Sequence, residues 1–424
     1  MLVNNKRALA HIETVSAIEE IPGADNICKI YVLGWALIAK KGEFNVGDKC
    51  VYIEIDSKVP ESDKRFEFLS KRGYKVKTMK LNSLGVISQG LALSISEFPE
   101  FKNKNIGDDV TDALKITKIL TNEEKRLAKE EEFIKNAANR MRLANATRRH
   151  PKLFNSKLIK NMLKNKFWKR VLLRIFGGKY EKPKLFPAWI NKTDEERCEN
   201  LVPGLFEHKE ELICTEKIDG TSTTFAVRYD SKHKKYEKVI CSRNVRQETE
   251  VQSCYFDENV YWKIWNSYNI EKVLTETDYF KKYDLVILQG ETYGHGLQGN
   301  PYKLDNIFFR GYNLIVGYAN GSKMYETITH DPTLMKDYIR VDDTIQRRIS
   351  STEAKNILSG QVEWVPILDV HYTLPNDIEA LKQEATGTSV LADVMREGCV
   401  YRSESDPTFS FKNVSREYLA SKKD

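Results

Sequence analysis

Between Lys115 and Lys182 the chain places 20 Lys and Arg against six Glu and no Asp, while the sequence on either side reads as β-strand. A block with a net charge of +14 cannot share one core with its flanks, so it divides the 424 residues into three regions. The whole chain carries +7, which leaves −7 for the remainder. A basic block on a mildly acidic body suggests an anionic partner, either nucleic acid or a membrane surface. A solvated helical face is the plainer alternative.

Residues 1–114 alternate apolar and polar positions at period two in ALAHIETVSAIEEI, CKIYVLGWALIAKKG and KCVYIEIDSKVP. PGADN and EFNVGD punctuate them as turns, and KVKTMKLNSLGVISQGLALSI supplies two more strands. Five or more short strands suggest a small barrel of the OB type, with another small sandwich as the alternative. Residues 115–182 form a basic helical insert. KRLAKEEEFIKNAANRMRLANAT lacks Pro and Gly, and SKLIKNMLKNKFWKRVLLRIFGGK reads as a second helical stretch ending at Gly177 and Gly178. Leu158, Met162, Leu163, Phe167, Val171 and Ile175 follow helical spacing as its apolar stripe. Residues 183–424 mix strands such as ICTEKIDGTSTTFAVRY and DLVILQGETYG with helical stretches. The class expected there is α+β, with antiparallel sheets and flanking helices.

Seven cysteines without CxxC spacing fit reduced thiols better than a disulfide framework or a zinc site. No run approaches the ~20 apolar residues of a membrane span, and the first residues lack a signal peptide's apolar core. An intracellular protein, cytoplasmic or nuclear, is expected, with no membrane partner.

The chemistry centres on CTEKIDGTS, residues 214–222. At a strand end, period two puts Lys217 and Asp219 on one face, and Gly220 turns the chain. A lysine attacks only when unprotonated, so its usual pKa of ~10.4 must come down. A neighbouring Asp works against that unless a divalent metal occupies it. Alone, KxDG is a weak signal. Further on lie Ser242-Arg243-Asn244, Leu288-Gln289-Gly290-Glu291, Phe308-Phe309-Arg310-Gly311-Tyr312-Asn313, Glu397-Gly398-Cys399-Val400 and Phe411-Lys412.

In that order these segments resemble motifs I, Ia, III, IIIa, IV and V of the covalent nucleotidyltransferases: DNA ligases, RNA ligases and mRNA capping enzymes. The first 114 residues, and NKTDEERCENL at 191–201, resemble one family of ATP-dependent RNA ligases. That family joins an N-terminal OB domain to a nucleotidyltransferase domain and has no further domain after motif V. The resemblance implies an OB domain over 1–114, an insert over 115–182 outside the match, and a nucleotidyltransferase (ATP-grasp-like DNA/RNA ligase) domain over 183–424. It also implies three steps: Lys217 takes AMP from ATP, AMP passes to a 5′-phosphate RNA end, and a 3′-hydroxyl displaces it. A nick in duplex RNA is the expected substrate, and a monomer the expected state.

The same resemblance assigns roles. Lys217 is the nucleophile. Lys412 reaches the α-phosphate and lowers the Lys217 pKa. Asp219 and Glu397 hold Mg²⁺ or Mn²⁺ through water. Glu216, Arg243, Glu291 and Arg197 bind the nucleotide, with Glu291 on the ribose and Arg197 on the triphosphate tail. Phe309 stacks on adenine or serves as a core aromatic, and Asn244 helps place the 3′-OH end. His295 is a loop or RNA-contact residue rather than a metal ligand. One departure stands out: motif V often reads KxK, and here Ser410 fills the first lysine's place. The rival readings are a DNA ligase or GTP-using capping enzyme, and a non-catalytic RNA-binding protein on a ligase scaffold.

Overall fold

The computed structural model describes residues 2–3, 6–120, 125, 132, 142–143, 146–147, 149–177, 186–192, 195–202, 204–247, 259–406 and 409–422. The first unit is built on a five-stranded antiparallel sheet in the order Leu91–Ser94, Lys49–Ile53, Ala10–Glu20, Ile27–Val32, Trp35–Lys40. The long Ala10–Glu20 strand pairs with Lys49–Ile53 along its first half and with Ile27–Val32 along its second. A register shift between Val15 and Ala17 bends it, so one strand serves both halves of a rolled sheet. One half closes over Ile12, Val51, Ile53 and Phe66, the other over Ile30, Trp35, Leu37 and Tyr52. Ile116 is buried in this unit and Thr117–Lys118 pairs with Ser57–Lys58, so the barrel runs past 114 to Ile119.

Most of the helical stretch expected over 125–147 lies outside the described residues. After a short Pro151–Phe154 helix, the stretch that starts at Ser156 is two helices, Lys157–Lys164 and Lys166–Phe176, rather than one. Asn165 breaks them apart: its side chain accepts from the Phe167 and Trp168 amides and caps the second helix. The break rotates the apolar stripe. Ile159, Leu172 and Leu173 are buried, with Phe176 packed on the same small core. Leu158, Phe167 and Ile175, expected in the stripe, are 72%, 66% and 66% exposed.

Two sheets make up the last unit. A six-stranded antiparallel sheet runs Lys235–Ser242, Thr221–Asp230, Leu285–Gly294, Ile307–Ala319, Thr344–Ile349, Ile339–Val341. Helices Val260–Ser267 and Ile270–Glu276 cover one face of it around Phe225, Leu288 and Leu314. The five-stranded sheet runs Glu196–Arg197, Ser410–Val414, Gly398–Ser403, Leu212–Lys217, Ile367–Tyr372, and only its first pair is parallel. Between Lys217 and Thr221 the chain crosses from one sheet to the other through Gly220. A Cβ there would sit 2.4 Å from the Thr292 carbonyl oxygen, so only glycine fits the crossing.

The barrel docks on this unit through both backbone and side chains. The Gly34 amide donates to the Glu199 carbonyl at 2.9 Å, and the Trp35 indole donates to Asn200 at 2.8 Å.

Candidate active site

Register decides which side chains meet. Lys217 pairs with Gly398, Thr215 with Val400, Val400 with Lys412, and Arg402 with Ser410. Period two therefore puts Lys217, Val400, Arg402, Ser410 and Lys412 on one face of the five-stranded sheet. The other face is a core of Cys214, Cys399, Tyr401 and Phe411. On the facing sheet, Glu291 lies beside Ser222 and Arg310. Ser242 is one rung away, so Arg243 and Asn244 enter at the same end.

Lys217 donates to a Glu397 carboxylate oxygen at 2.7 Å. Burial alone would lower the lysine pKa, but Glu397, Glu291 and Asp219 together outweigh it and hold the ammonium above its ordinary range. Three carboxylates lie close to Lys217, and their sum prevails over burial.

Asp219 is 8% exposed and heavily engaged. Its carboxylate accepts from the Tyr418 hydroxyl and pairs with Lys422 at 3.1 Å, while its amide donates to the Tyr302 hydroxyl at 2.8 Å. Burial first, and Asp219 second, push the Tyr418 phenol up, so it keeps its proton and donates. Among the described residues no three His, Cys, Asp or Glu converge closely enough to ligate a metal directly. Asp219, Glu397 and Glu291 all bear on Lys217, a carboxylate set that would suit a cation held through its water shell, as Mg²⁺ prefers.

Glu216 is buried; its carboxylate accepts from Ser389 and from the Val390 amide at 2.8 Å, anchoring that loop to the Lys217 strand. Arg197 pairs through its backbone with Lys412, and its guanidinium lies 5.6 Å from the Trp35 ring. One of its terminal nitrogens is buried without a hydrogen-bond partner, which suits an anionic ligand. Asn244 accepts from Lys192 at 3.1 Å. His295 sits exposed in a loop, in line with its expected place.

Phe309 does not face the cleft. It is 1% exposed, with its ring 5.1 Å from Phe225 and 6.4 Å from Tyr268. Alternation sends it into the core beneath the sheet, so the core-aromatic alternative holds. Tyr312, three positions on, is the half-buried ring near the motifs. Its hydroxyl is 3.3 Å from Ser222, and the Arg402 guanidinium is 5.6 Å from its ring. Motif IIIa contains both aromatics, and an odd spacing of three puts them on opposite faces; pairing of Arg310 with Glu291 decides that the Phe309 face is the inner one.

Arg402 also answers the Ser410 departure. It stands directly across from Ser410, is 5% exposed, and pairs with Glu195 at 2.5 Å. Desolvation opposes ionisation of Glu195, but Arg402, aided by Lys412, holds its carboxyl below the usual range. A second cation is thus present, on the neighbouring strand. A cavity of about 230 Å³ opens here between the sheets, lined by Arg402, Ser410, Arg348, Gln289, Asn313 and Gln346 among others. Arg402 Nη1, Asn313 Oδ1 and Gln346 Oε1 are buried there without partners, a set of donors and acceptors ready for a polar ligand.

A family model described as an OB-fold domain matches residues 9–95, and one described as RNA ligase matches residues 210–414. The RNA ligase match thus takes in a little under half of the chain. Solved structures of Naegleria gruberi RNA ligase resemble this chain over nearly its whole length. A glutamate-to-alanine variant with ATP and Mn is 28% identical, covers 99% of this chain and 100% of its own, and superposes with a TM-score of 0.67. The form with PPi is 27% identical over 98% of each chain, with a TM-score of 0.66. An apo aspartate-to-alanine variant gives 28% and 0.66 over 99% of this chain and 98% of its own. No curated protein matches the chain. Among the described residues, no helix is long and apolar enough to cross a membrane.

Proposed function

We propose that this protein is an RNA ligase that uses ATP to join 3′-hydroxyl and 5′-phosphate RNA ends, with nicked duplex RNA as substrate. The observation that carries the reading is Lys217 at a strand end, ringed by Glu397, Glu291 and Asp219, with Lys412 on the same face of the sheet. Those are the parts of an in-line transfer at phosphorus. Lys217 loses its proton and its Nζ bonds to the α-phosphorus of ATP, while the bond to pyrophosphate breaks. The phosphoramidate then yields AMP to a 5′-phosphate end. The 3′-hydroxyl oxygen bonds to that 5′-phosphorus and AMP leaves.

Lys412 and Arg402 carry positive charge to the phosphate, and Arg197 takes the triphosphate tail. Tyr312 stacks on adenine in place of Phe309. Glu291 takes the ribose, Arg243 supports it, and Asn244 guides the 3′-OH end. Asp219 and Glu397 would hold Mg²⁺ or Mn²⁺ through water, which supplies charge neutralisation. The Naegleria ligase structures with ATP and Mn support that cofactor pair. One chain carries every residue named, which supports a monomer.

The test is transfer of label from [α-³²P]ATP with Mg²⁺ or Mn²⁺. Wild type should take label, and Lys217→Met should take none. Labelling by GTP instead would refute the ATP assignment. Sealing of nicked duplex RNA should exceed that of nicked DNA and of single-stranded RNA; the reverse order would refute the substrate.

A further inference from the structure

The RNA ligase match ends at residue 414, yet the next eight residues reach back into the site. The Ser415 amide donates to the Glu397 carbonyl at 2.9 Å. The Arg416–Ser421 helix follows, with the Ser415 hydroxyl accepting from the Tyr418 amide. Arg416 fixes it at both ends of its guanidinium. Two bonds of 2.7 Å go to Glu379, and a third of 3.0 Å goes to Gln89 of the barrel. Leu419 packs on the barrel's Trp35 cluster. From this strut Tyr418 and Lys422 both reach the Asp219 carboxylate.

The helix has anchors besides these two contacts. Arg416 and Leu419 already dock the helix, and the Lys422 side chain is 50% exposed. What the two share is one carboxylate oxygen beside the nucleophile. A phenol with a single rotatable hydroxyl fixes where that oxygen points. A flexible, half-exposed ammonium supplies charge that another cation can replace.

We propose that the segment after motif V sets the affinity of Asp219 for a hydrated divalent cation: Tyr418 is a positioning residue, and Lys422 is the resident counter-cation that the incoming ion displaces. The inference rests on the reading of Asp219 as a metal-water residue. It assigns the two side chains opposite signs. Loss of the Tyr418 hydroxyl leaves the carboxylate free to turn and weakens binding. Loss of the Lys422 charge removes a competitor and strengthens it.

The experiment titrates the full chain with Mn²⁺, without ATP, and reads free Mn²⁺ by electron paramagnetic resonance. Tyr418→Phe should weaken binding by about tenfold or more, the range for lost outer-shell partners. Lys422→Ala should tighten it by about two- to fivefold at low salt, as expected for an exposed pair, and Lys422→Arg should restore the wild-type value. Asp219→Ala is the reference for the underlying reading. If it binds Mn²⁺ like wild type, the metal assignment fails and this proposal with it. If it loses the ion while Tyr418→Phe and Lys422→Ala both match wild type, this proposal alone is overturned. Should Tyr418→Phe also melt early, the half-exposed Lys422 still decides: unchanged or weaker binding in Lys422→Ala refutes the displacement.

Discussion

Gly34→Ala tests how the barrel serves the nucleotide site. An added Cβ would lie 2.8 Å from the Glu199 Cα, 3.0 Å from Ile378 Cγ1 and 3.2 Å from the Glu199 carbonyl oxygen. Carbon atoms in contact prefer about 3.5–4.0 Å, so the barrel turn must retreat by roughly 0.7–1 Å. The 2.9 Å bond from the Gly34 amide to Glu199 would then pass out of hydrogen-bond range. The neighbouring bond from Trp35 to Asn200, now 2.8 Å, stretches with it. Overpacking of this kind costs about 1–3 kcal/mol. Trp35 backs Arg197, so the strain falls on the residue proposed to take the triphosphate tail. At 1.4 kcal/mol per tenfold, the ATP concentration for half-maximal lysyl-AMP formation should rise by about 5- to 150-fold if the whole cost appears there. The assay is label transfer from [α-³²P]ATP against ATP concentration. Gly204→Ala is the control, because a Cβ there meets nothing within 4 Å. Wild-type ATP dependence in Gly34→Ala, or a defect confined to sealing, would refute the link from barrel to Arg197.

Three further expectations follow from buried or clustered charge. Lys382 and Glu199 form a fully buried pair at 2.7 Å, so Lys382→Met should cost about 3–5 kcal/mol by urea unfolding and the Lys382→Met, Glu199→Gln double variant much less; a single-variant loss below about 1 kcal/mol would contradict it. His11 lies 2.8 Å from Glu13 and 3.6 Å from Glu54; burial works to lower its pKa, but the two carboxylates lift it above the ordinary 6.5. A raised pKa means stability complete below about pH 6.5 and lost as pH climbs through the folded value, so the melting temperature should fall over that window in wild type and stay flatter in His11→Asn. Changing Lys157, Lys160, Lys164, Lys166, Lys169, Arg170 and Arg174 to Gln should flatten the log–log salt dependence of RNA binding, by about 0.7–0.9 for each phosphate these side chains neutralise; an unchanged slope would remove the insert from the RNA surface.

What the sequence disclosed was local or repeated. Alternation marked the strands, and Lys217 with Gly220 marked a strand end and a crossing. The hidden parts depend on pairing between distant segments. No spacing rule puts Arg402 opposite Ser410, because that needs the register of two strands. Tyr418 meets Asp219 across 199 positions, outside any motif. Which of Phe309 and Tyr312 faces the cleft depends on the register that sets Arg310 against Glu291. The boundary at Ile119 was obscured because Ile116 and Thr117 sit within a run of positive charge, although their apolar and β-branched character marks a last strand. Asn165 was legible in principle, since a cap residue inside a basic helix is a break signal.

The charge around Lys217 argues against treating the three carboxylates as activators of the lysine. Each of them stabilises the ammonium, the form that cannot attack, and their sum overcomes the effect of burial. A site built only to deprotonate a lysine would place cations there, and Lys412 and Arg402 stand further along the same face. The carboxylates fit the proposed role of holding a hydrated divalent cation when substrate is present. Positive charge entering among them would withdraw their support from the ammonium and ease loss of the Lys217 proton. On that reading, Tyr418 and Lys422 keep the Asp219 carboxylate satisfied in the meantime. A buried carboxylate with no partner would be costly, and a partner that leaves easily costs little to displace.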